Sequence, residues 1–160
     1  MPTKLEIQKQ IAKLGDLPKI LQEAVDGLND EQLDTTYREG GWRIRQVVHH
    51  IMDSHVHGYI RMKFTLTEEN PTLKPYDENV WAKQKDGSEN PVEDSILVLQ
   101  GLHKRWADWL NSLIDENVWK RPSLHLEEGE MSFWDLLKDY AEHGEHHVKQ
   151  ILGLREKMNW

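Results

Sequence analysis

Two histidine-rich stretches contain the side chains best suited to chemistry. One is residues 143–147 near the C-terminus, where His143 and His147 are four residues apart. In a helix this spacing puts both imidazoles on one face, about one turn apart, so both can reach a single metal ion. Two ligands rarely complete a metal site. The sequence therefore predicts a three-histidine site that joins two helices, with the third ligand supplied by the second stretch, residues 49–57.

The second stretch leaves the identity of the third ligand open. On a helix, His50 shares a face with His57. His49 instead shares a face with Asp53, and His55 falls on the apolar row of that helix. The spacing alone therefore does not decide between His49 and His50.

Three further histidines carry weaker signals. His146 points about 100° away from His147, so we expect it to support the site from outside or to face solvent. His103 and His125 stand in uninformative surroundings. We expect each of these two to be solvent-exposed or structural.

The histidine spacing departs from two familiar metal-site motifs. A zincin requires His-Glu-x-x-His, but Gly144 follows the first histidine here, and Glu145 is rotated about 200° from His143 around the helix. A di-iron bundle requires paired Glu-x-x-His motifs, and the chain contains none. A mononuclear three-histidine site is the simplest interpretation.

Such a site permits two kinds of chemistry. Three neutral histidines leave a divalent ion its full charge and at least one open coordination position. The ion can lower the pKa of a bound water to about 7 or polarise a carbonyl or phosphoryl oxygen. It can equally bind a thiol as the thiolate. Imidazole suits zinc, nickel, copper and iron, and the ligand set does not choose between water and thiol.

Four long stretches with apolar residues at helical spacing must position these histidines. They cover residues 4–28, 42–67, 91–113 and 132–154, and the first is predicted to break at Gly15–Pro18. Asn90 and Ser132 are expected to cap the last two helices. With no convincing strand pattern, the sequence predicts an all-α four-helix bundle. Residues 115–130 are expected to form a polar connection, and residues 68–90 a long, functional or mobile connection between the second and third helices.

Length and composition restrict the class of protein. With 160 residues the chain fits one domain, residues 1–160. A net charge of −8 argues against a nucleic-acid or anionic-membrane surface, and the absence of cysteine excludes disulfides and thiolate ligands. The first residues lack the apolar segment of a signal peptide, and no apolar run is long enough to span a membrane. We expect a cytoplasmic protein.

The sequence resembles the DinB-like superfamily of four-helix metalloenzymes over nearly its whole length. The matching segments are Gln32-Leu33-Asp34-Thr35 with Tyr37-Arg38, Gly40-Gly41-Trp42, Arg45-Gln46-Val47-Val48-His49-His50, Asp53-Ser54-His55, Tyr59-Ile60-Arg61, Pro75-Tyr76-Asp77 with Trp81, and His143-x-x-His146-His147. The segment 59–81 resembles in particular the YfiT-type branch, whose members are described as metal-dependent hydrolases.

The resemblance carries implications for the site and its partners. It implies that the family's single ligand from the second helix falls on His50, and its two ligands from the fourth helix fall on His143 and His147. It implies one catalytic divalent metal per chain, zinc first, with nickel, manganese or iron as alternatives. It also implies a homodimer acting on a small molecule, and some relatives are S-transferases that use the low-molecular-weight thiol bacillithiol.

Two departures from the family pattern stand close to these motifs. Arg43 follows the tryptophan where family members often have serine or threonine as a helix cap. Glu142 precedes the first C-terminal histidine where family members often have tryptophan. The second departure changes the polarity expected for the pocket, and therefore the expected substrate.

Two hypotheses about function result. The first is an enzyme, a metal-dependent hydrolase or a thiol S-transferase, that acts on a small electrophilic substrate. Further candidates for contacts with the ligands or the substrate are Asp53, His57, Arg61 and Tyr140. The second hypothesis is a non-catalytic binding or stress-response bundle, whose histidines are polar core groups or a structural metal clamp with no open position.

Overall fold

Four long helices pack into a bundle in the computed structural model, which describes residues 1–160. Helix α1 packs against α6 and α7, and α3 packs against the same two helices, so α1 and α3 occupy opposite corners. The predicted four-helix bundle is confirmed. None of the helices combines the length and the apolar character that crossing a membrane requires. In chain order the elements are α1 (Lys4–Val25), α2 (Asp30–Leu33), α3 (Ile44–Thr67), β1 (Thr72–Leu73), α4 (Glu78–Trp81), α5 (Lys85–Ser88), α6 (Val92–Asn111), a 3-10 helix (Glu116–Lys120), β2 (Pro122–His125), β3 (Gly129–Ser132) and α7 (Phe133–Met158).

A layer of histidines separates the hydrophobic core into two clusters. One cluster includes Val48 and Ile151, and the other includes Trp106 and Leu137. Neighbouring imidazole rings within the layer have centroids 4.5–5.5 Å apart, which makes an unbroken series of contacts. Five imidazole rings are thus concentrated at one level of the bundle. The members of the layer, from α3, α6 and α7, are His50, His55, His103, His143 and His147.

The predicted break in the first helix is wrong, because α1 runs unbroken through Pro18. Proline has no N–H to donate to the carbonyl four residues earlier, so the Leu14 carbonyl loses its helical partner. His103 replaces that partner from α6, with Nδ1 2.5 Å from the Leu14 oxygen. His103 is fully buried. Of the two predictions for this residue, the structural role is confirmed and solvent exposure is wrong.

The prediction of a strictly all-α structure is wrong, because three short strands form a sheet. Strand β1 pairs in parallel with β2, and β2 pairs antiparallel with β3. Residues 126–128 connect the hairpin, and Gly129 follows with φ at 84°, a conformation that glycine adopts far more readily than other residues. The polar connection predicted for residues 115–130 therefore contains a 3-10 helix and a hairpin.

Residues 68–90 also contain more structure than the sequence predicts. The segment includes β1 and two single-turn helices, α4 and α5. Asp77 caps α4 through its side chain. Two side chains of the α3 N-terminus hold the segment in place: Gln46 Nε2 donates to the Ala82 carbonyl at 2.7 Å, and Arg43 Nη2 donates to the Ser88 carbonyl at 3.0 Å. The segment is therefore attached to the helix that carries His50.

Only one of the two predicted caps is observed. The Ser132 hydroxyl accepts from the Asp135 N–H at 3.2 Å, and the Asp135 carboxylate accepts in return from the Ser132 N–H at 2.9 Å. Asn90 does not cap α6 through its side chain, since that helix begins after Pro91. The Asn90 carbonyl instead accepts from Arg45 Nη1 at 3.0 Å.

Close packing of α1 on α7 depends on a glycine between two histidines. A Cβ on Gly144 would overlap Leu17 Cδ2 and lie 2.8 Å from Leu17 Cδ1. Leu17 is 2% exposed, so in a close-packed core it cannot turn away without opening a gap. The two helices therefore pack closely at the turn from which His143 and His147 project.

A double-mutant cycle tests whether His103 provides the hydrogen-bond donor that Pro18 lacks. His103→Leu removes the donor to the Leu14 carbonyl, and we expect it to lower the free energy of unfolding by about 1–3 kcal/mol. Pro18→Ala restores a backbone N–H at position 18. In the Pro18→Ala protein, His103→Leu is therefore expected to lower the free energy of unfolding by about 1 kcal/mol less than it does in the wild type. Urea unfolding of the four metal-free proteins measures the coupling, and an equal cost in both backgrounds would contradict this role of His103.

The same variant has a pH dependence of defined sign. Burial lowers the pKa of His103 to about 4 from 6.5, so the folded state resists a proton that the unfolded chain takes up. The stability associated with His103 is complete above pH 6.5 and is lost as the pH falls toward 4, by on the order of 2 kcal/mol at pH 5. Leucine does not titrate, so His103→Leu does not lose this stability in acid. The difference in free energy of unfolding between wild type and variant is therefore expected to become smaller as the pH falls from about 7.5 to 5.

Gly144→Ala tests the contact between α1 and α7. Its Cβ would force Leu17 out of place, and we expect a loss of about 1–3 kcal/mol in the free energy of unfolding. Gly153→Ala is the matched control on the same helix, because no atom lies within 4 Å of the added Cβ. That control is expected to gain about 0.5–1 kcal/mol. Equal stability of the two variants in urea unfolding would show that the glycine is not required for the approach of the helices.

Candidate metal centre

Three imidazole rings from two helices meet within the histidine layer. His50 projects from α3, whereas His143 and His147 project from α7. Nε2 of His143 lies 3.1 Å from Nε2 of His50 and 3.2 Å from Nε2 of His147. His50 is buried and the two histidines of α7 are partly exposed. The cluster of three rings is therefore anchored in the core and accessible from one side.

Helical spacing and one indole ring hold the three imidazoles together. The four-residue interval on α7 stacks His143 above His147, with ring centroids 4.5 Å apart. Trp42, just before α3, packs against His50 at a centroid distance of 4.6 Å. The same indole stacks on His147 at 6.5 Å with an interplanar angle of 20°. Trp42 therefore contacts rings from both helices and shields one side of the cluster from water.

The donor atoms and their spacing fit a tetrahedrally coordinated divalent ion. Nitrogens bound at about 2.0–2.1 Å to one zinc ion lie roughly 3.3 Å apart at tetrahedral angles, close to the 3.1 and 3.2 Å seen here. The Gln150 Oε1 accepts from His147 Nδ1 at 2.8 Å, so a neutral His147 keeps its lone pair at Nε2. The three nitrogens, which all lie within 4.8 Å of one another, could therefore hold one metal ion.

Burial keeps the three imidazoles in the neutral state that metal binding requires. It lowers the pKa of His50 to about 3, and the nearby His147 adds to the effect. Burial also lowers the pKa of His143 well below its ordinary value, and it lowers the pKa of His147. At neutral pH the cluster therefore presents lone pairs rather than positive charges.

His55 supports the cluster from the interior of the bundle. It is fully buried on α3, and its Nε2 lies 3.3 Å from Nδ1 of His143. When His143 turns the lone pair of Nε2 toward a metal, its Nδ1–H is left to donate, and His55 Nε2 can accept it. Such an outer partner fixes the tautomer and the ring orientation of a ligating histidine. His55 in turn stacks on His103, with ring centroids 4.9 Å apart.

The structure separates the two neighbouring candidates that spacing left open. His49 faces α6, where its Nδ1 lies 2.7 Å from Ser95 Oγ and its Nε2 lies 3.1 Å from the Asn90 carbonyl oxygen. His50 is the residue that joins the pair on α7. His49 is thus engaged in structural hydrogen bonds outside the cluster.

Two of the four further candidates lie beside the cluster. Arg61 and Tyr140 line a cavity of about 440 Å³ that His143 also borders. Arg61 Nη1 donates to Tyr140 Oη at 2.8 Å. A Cβ on Gly58 would lie 2.6 Å from two atoms of the Tyr140 ring, so the glycine on α3 makes room for this phenol. Arg61 and Tyr140 are therefore held as a pair at the wall of the cavity.

The other two candidates lie elsewhere. His57 stacks on Tyr76 with ring centroids 4.4 Å apart and an interplanar angle of 10°. Asp53 does not line the cavity; burial, helped by the charge of Asp86, raises its pKa to about 6. His146 is exposed, as one of its two predicted alternatives states, and accepts from Gln150 Nε2 at 2.9 Å.

The sequence did not lead us to assign Glu78 or His125 to the site. Oε2 of Glu78 lies 3.8 Å from Nε2 of His50, and its position after Pro75-Tyr76-Asp77 is the one signal that could have found it. His125 lines the cavity and is 7% exposed, so its solvent-exposed alternative is wrong. No signal in the sequence indicates His125, because a four-residue strand leaves little periodic pattern.

Comparisons with known proteins identify the family of the chain. A family model described as the DinB superfamily matches residues 14–151. A protein of Geobacillus kaustophilus named "Putative metal-dependent hydrolase" is 44% identical over 155 residues, which cover 97% of this chain and 87% of the relative. A protein of Bacillus mycoides with the same description is 47% identical over 154 residues, covering 96% of this chain and 88% of the relative.

A solved structure shares the whole fold. It is described as YfiT from Bacillus subtilis, "a probable metal-dependent hydrolase with an unusual four-helix bundle topology". It superposes on this chain with a TM-score of 0.96 at 40% sequence identity, covering 100% of this chain and 91% of YfiT. The resemblance seen in the sequence is thereby confirmed, and the chain belongs to the DinB superfamily.

Proposed function

We propose that this chain is a metal-dependent hydrolase that acts on a small-molecule substrate, with one divalent ion, zinc first, held by His50, His143 and His147. The observation that carries the proposal is the convergence of three neutral imidazole nitrogens beside a cavity. The names of the similar proteins from Geobacillus kaustophilus and Bacillus mycoides support the same class of reaction.

The chain's own residues prepare the site for this chemistry. When bound, a divalent ion on three histidines supplies Lewis acidity toward a water, a thiol or a carbonyl oxygen. Gln150 and His55 accept from the Nδ1 atoms of His147 and His143, which directs the Nε2 lone pairs of both rings to one point. Trp42 shields one side of the cluster, so substrate approaches from the cavity.

Glu78 provides a proton acceptor at the edge of the cluster. Its carboxylate lies 3.8 Å from Nε2 of His50 and lines the same cavity as His143. Burial raises the pKa of Glu78, and the charges of Asp77 and Glu127 add to the rise. A carboxylate with a raised pKa is better suited to take up a proton and return it during turnover. Glu78 is therefore the residue that we assign as general base.

Metal analysis of variants tests the ligand set. His50→Ala and the double variant His143→Ala/His147→Ala are expected to lose the bound metal, because two nitrogens or one do not complete a site. They are also expected to lose the rise in thermal midpoint that added zinc gives the wild type. The measurements are metal per chain by mass spectrometry after dialysis, and thermal unfolding with and without zinc.

Two further variants make this test specific. His49→Ala is the matched control, because this neighbouring buried histidine bonds outside the cluster; we expect a less stable protein that keeps its metal. His55→Leu is expected to keep the metal with an affinity about 10–100-fold lower. Unchanged metal content and unchanged thermal midpoint in the ligand variants would end the metal proposal.

Thiol dependence decides between hydrolysis and S-transfer. We expect the zinc-loaded protein to hydrolyse 4-nitrophenyl acetate without added thiol, with His50→Ala as the background control. Glu78→Gln is expected to keep the metal but to lower turnover by about 10²–10⁴-fold, the usual contribution of a general base. Turnover above background only with added cysteine would move the assignment to a thiol S-transferase. A metal-loaded protein inactive with and without thiol would favour the non-catalytic bundle.

A further inference from the structure

The cavity beside the histidine cluster has buried and exposed parts of different character. Its volume is about 440 Å³, and its buried lining includes Tyr140 and His125, each 7% exposed. His143 borders the same space, so the buried part adjoins the cluster. Apart from Glu78, which lies beside His50, the exposed part carries four carboxylate side chains, those of Glu127, Glu128, Asp139 and Glu142.

The buried part presents hydrogen-bond donors that the protein does not satisfy. Tyr140 Oη accepts from Arg61 Nη1 at 2.8 Å, and its own hydrogen has no acceptor among the protein's hydrogen bonds. His125 Nδ1 accepts from the N–H groups of Glu127 and Glu128 at 3.4 and 3.2 Å. The neutral His125 ring therefore carries its hydrogen on Nε2, which also has no protein acceptor. Both donors line the cavity and are free for a ligand that carries an acceptor oxygen.

The exposed part presents negative charge without a matching cation. Arg61 is the one Lys or Arg side chain that lines the cavity, and its hydrogen bonds go to Tyr140 and to the Lys74 carbonyl rather than to any of these carboxylates. Lys138 Nζ lies 4.0 Å from Glu142 Oε1, and both side chains are half-exposed. An ion pair in such a setting contributes little binding energy in water. Burial raises the pKa of Asp139, and the neighbouring carboxylates, Glu142 among them, add to the rise. The charge at this end is therefore left for a ligand to balance.

We propose that the substrate carries an oxygen acceptor, such as a carbonyl, at one end and a positively charged amino or guanidino group at the other. The oxygen accepts from Tyr140 and His125 beside the cluster, and the cation lies among the carboxylates at the mouth. This inference rests on the proposed function, because it takes the cavity to be the substrate site of the three histidines. It also gives a role to Glu142, at which the chain departs from the family's tryptophan.

Binding of three matched probes to the zinc-loaded protein tests the charge preference without requiring turnover. The probes are Nα-acetyl-lysine amide, Nα-acetyl-norleucine amide and Nα-acetyl-glutamate amide, which are cationic, neutral and anionic on similar scaffolds. Calorimetric titration is expected to rank them in that order of affinity. Added potassium chloride is expected to lower the affinity for the lysine probe and to leave the affinity for the norleucine probe unchanged, because only the lysine probe binds through charge.

Variants assign the two ends of the ligand. Asp139→Asn and Glu142→Gln are each expected to lower the affinity for the lysine probe by about 2–5-fold and to leave the affinity for the norleucine probe unchanged. Tyr140→Phe is expected to weaken both probes by a similar factor of about 2–10, because it removes one donor to the shared carbonyl group. Glu156→Gln, an exposed carboxylate of the same helix outside the cavity, is the control and is expected to change neither.

The outcomes separate this inference from the proposed function. Equal affinity for the three probes, tighter binding of the glutamate probe, or no binding of the lysine probe at millimolar concentration would overturn the charge preference. If the preference holds but the ligand variants keep their metal content, the metal proposal fails and the cationic ligand stands. If the ligand variants lose the metal but the three probes bind equally well, the metal proposal stands and the cationic ligand is ruled out.

Discussion

The convergence of three imidazole nitrogens is the constraint on which the rest of the structure depends. Nitrogens held 3.1 and 3.2 Å apart leave almost no freedom in the distance or register of α3 and α7. The rings tolerate this closeness because burial keeps them neutral. The hydrophobic clusters on either side of the histidine layer supply the rigidity, since close-packed cores resist displacement. The site is thus a property of the bundle interior rather than of a loop.

Helices that contribute no ligand nevertheless help to fix the cluster. Gly144 lets α1 approach α7 at the turn between the two histidines of that helix, where Leu17 packs. One turn earlier on α1, Leu14 receives a hydrogen bond from His103, whose ring stacks on His55. His55 in turn contacts His143. A proline in α1 and a histidine in α6 therefore reach the cluster through two ring contacts, so all four helices contribute to its geometry.

The parts of this architecture that follow a period could be predicted from the sequence. Apolar residues at helical spacing identified the four long helices, and the interval between His143 and His147 identified the pair on α7. The choice of His50 over His49 came from the family resemblance, because two adjacent residues of a helix differ only in direction. Pro18 misled the prediction because its compensating donor lies on α6, far away in the sequence. The sheet was missed because its strands have two to four residues.

The residues that resisted prediction are also those that shape access to the site. Glu78 is placed by a single helical turn, and His125 and the carboxylates beside it are placed by a hairpin. Successive residues of a helix project about 100° apart, so Glu142 can border the cavity mouth while His143 reaches into the cluster. A tryptophan or a glutamate at position 142 therefore alters what the mouth attracts without moving the imidazole nitrogens. In this fold helix packing sets the positions of the three imidazole nitrogens, whereas the lining of the cavity mouth comes from short segments and from outward-facing residues of α7, so the two can vary separately.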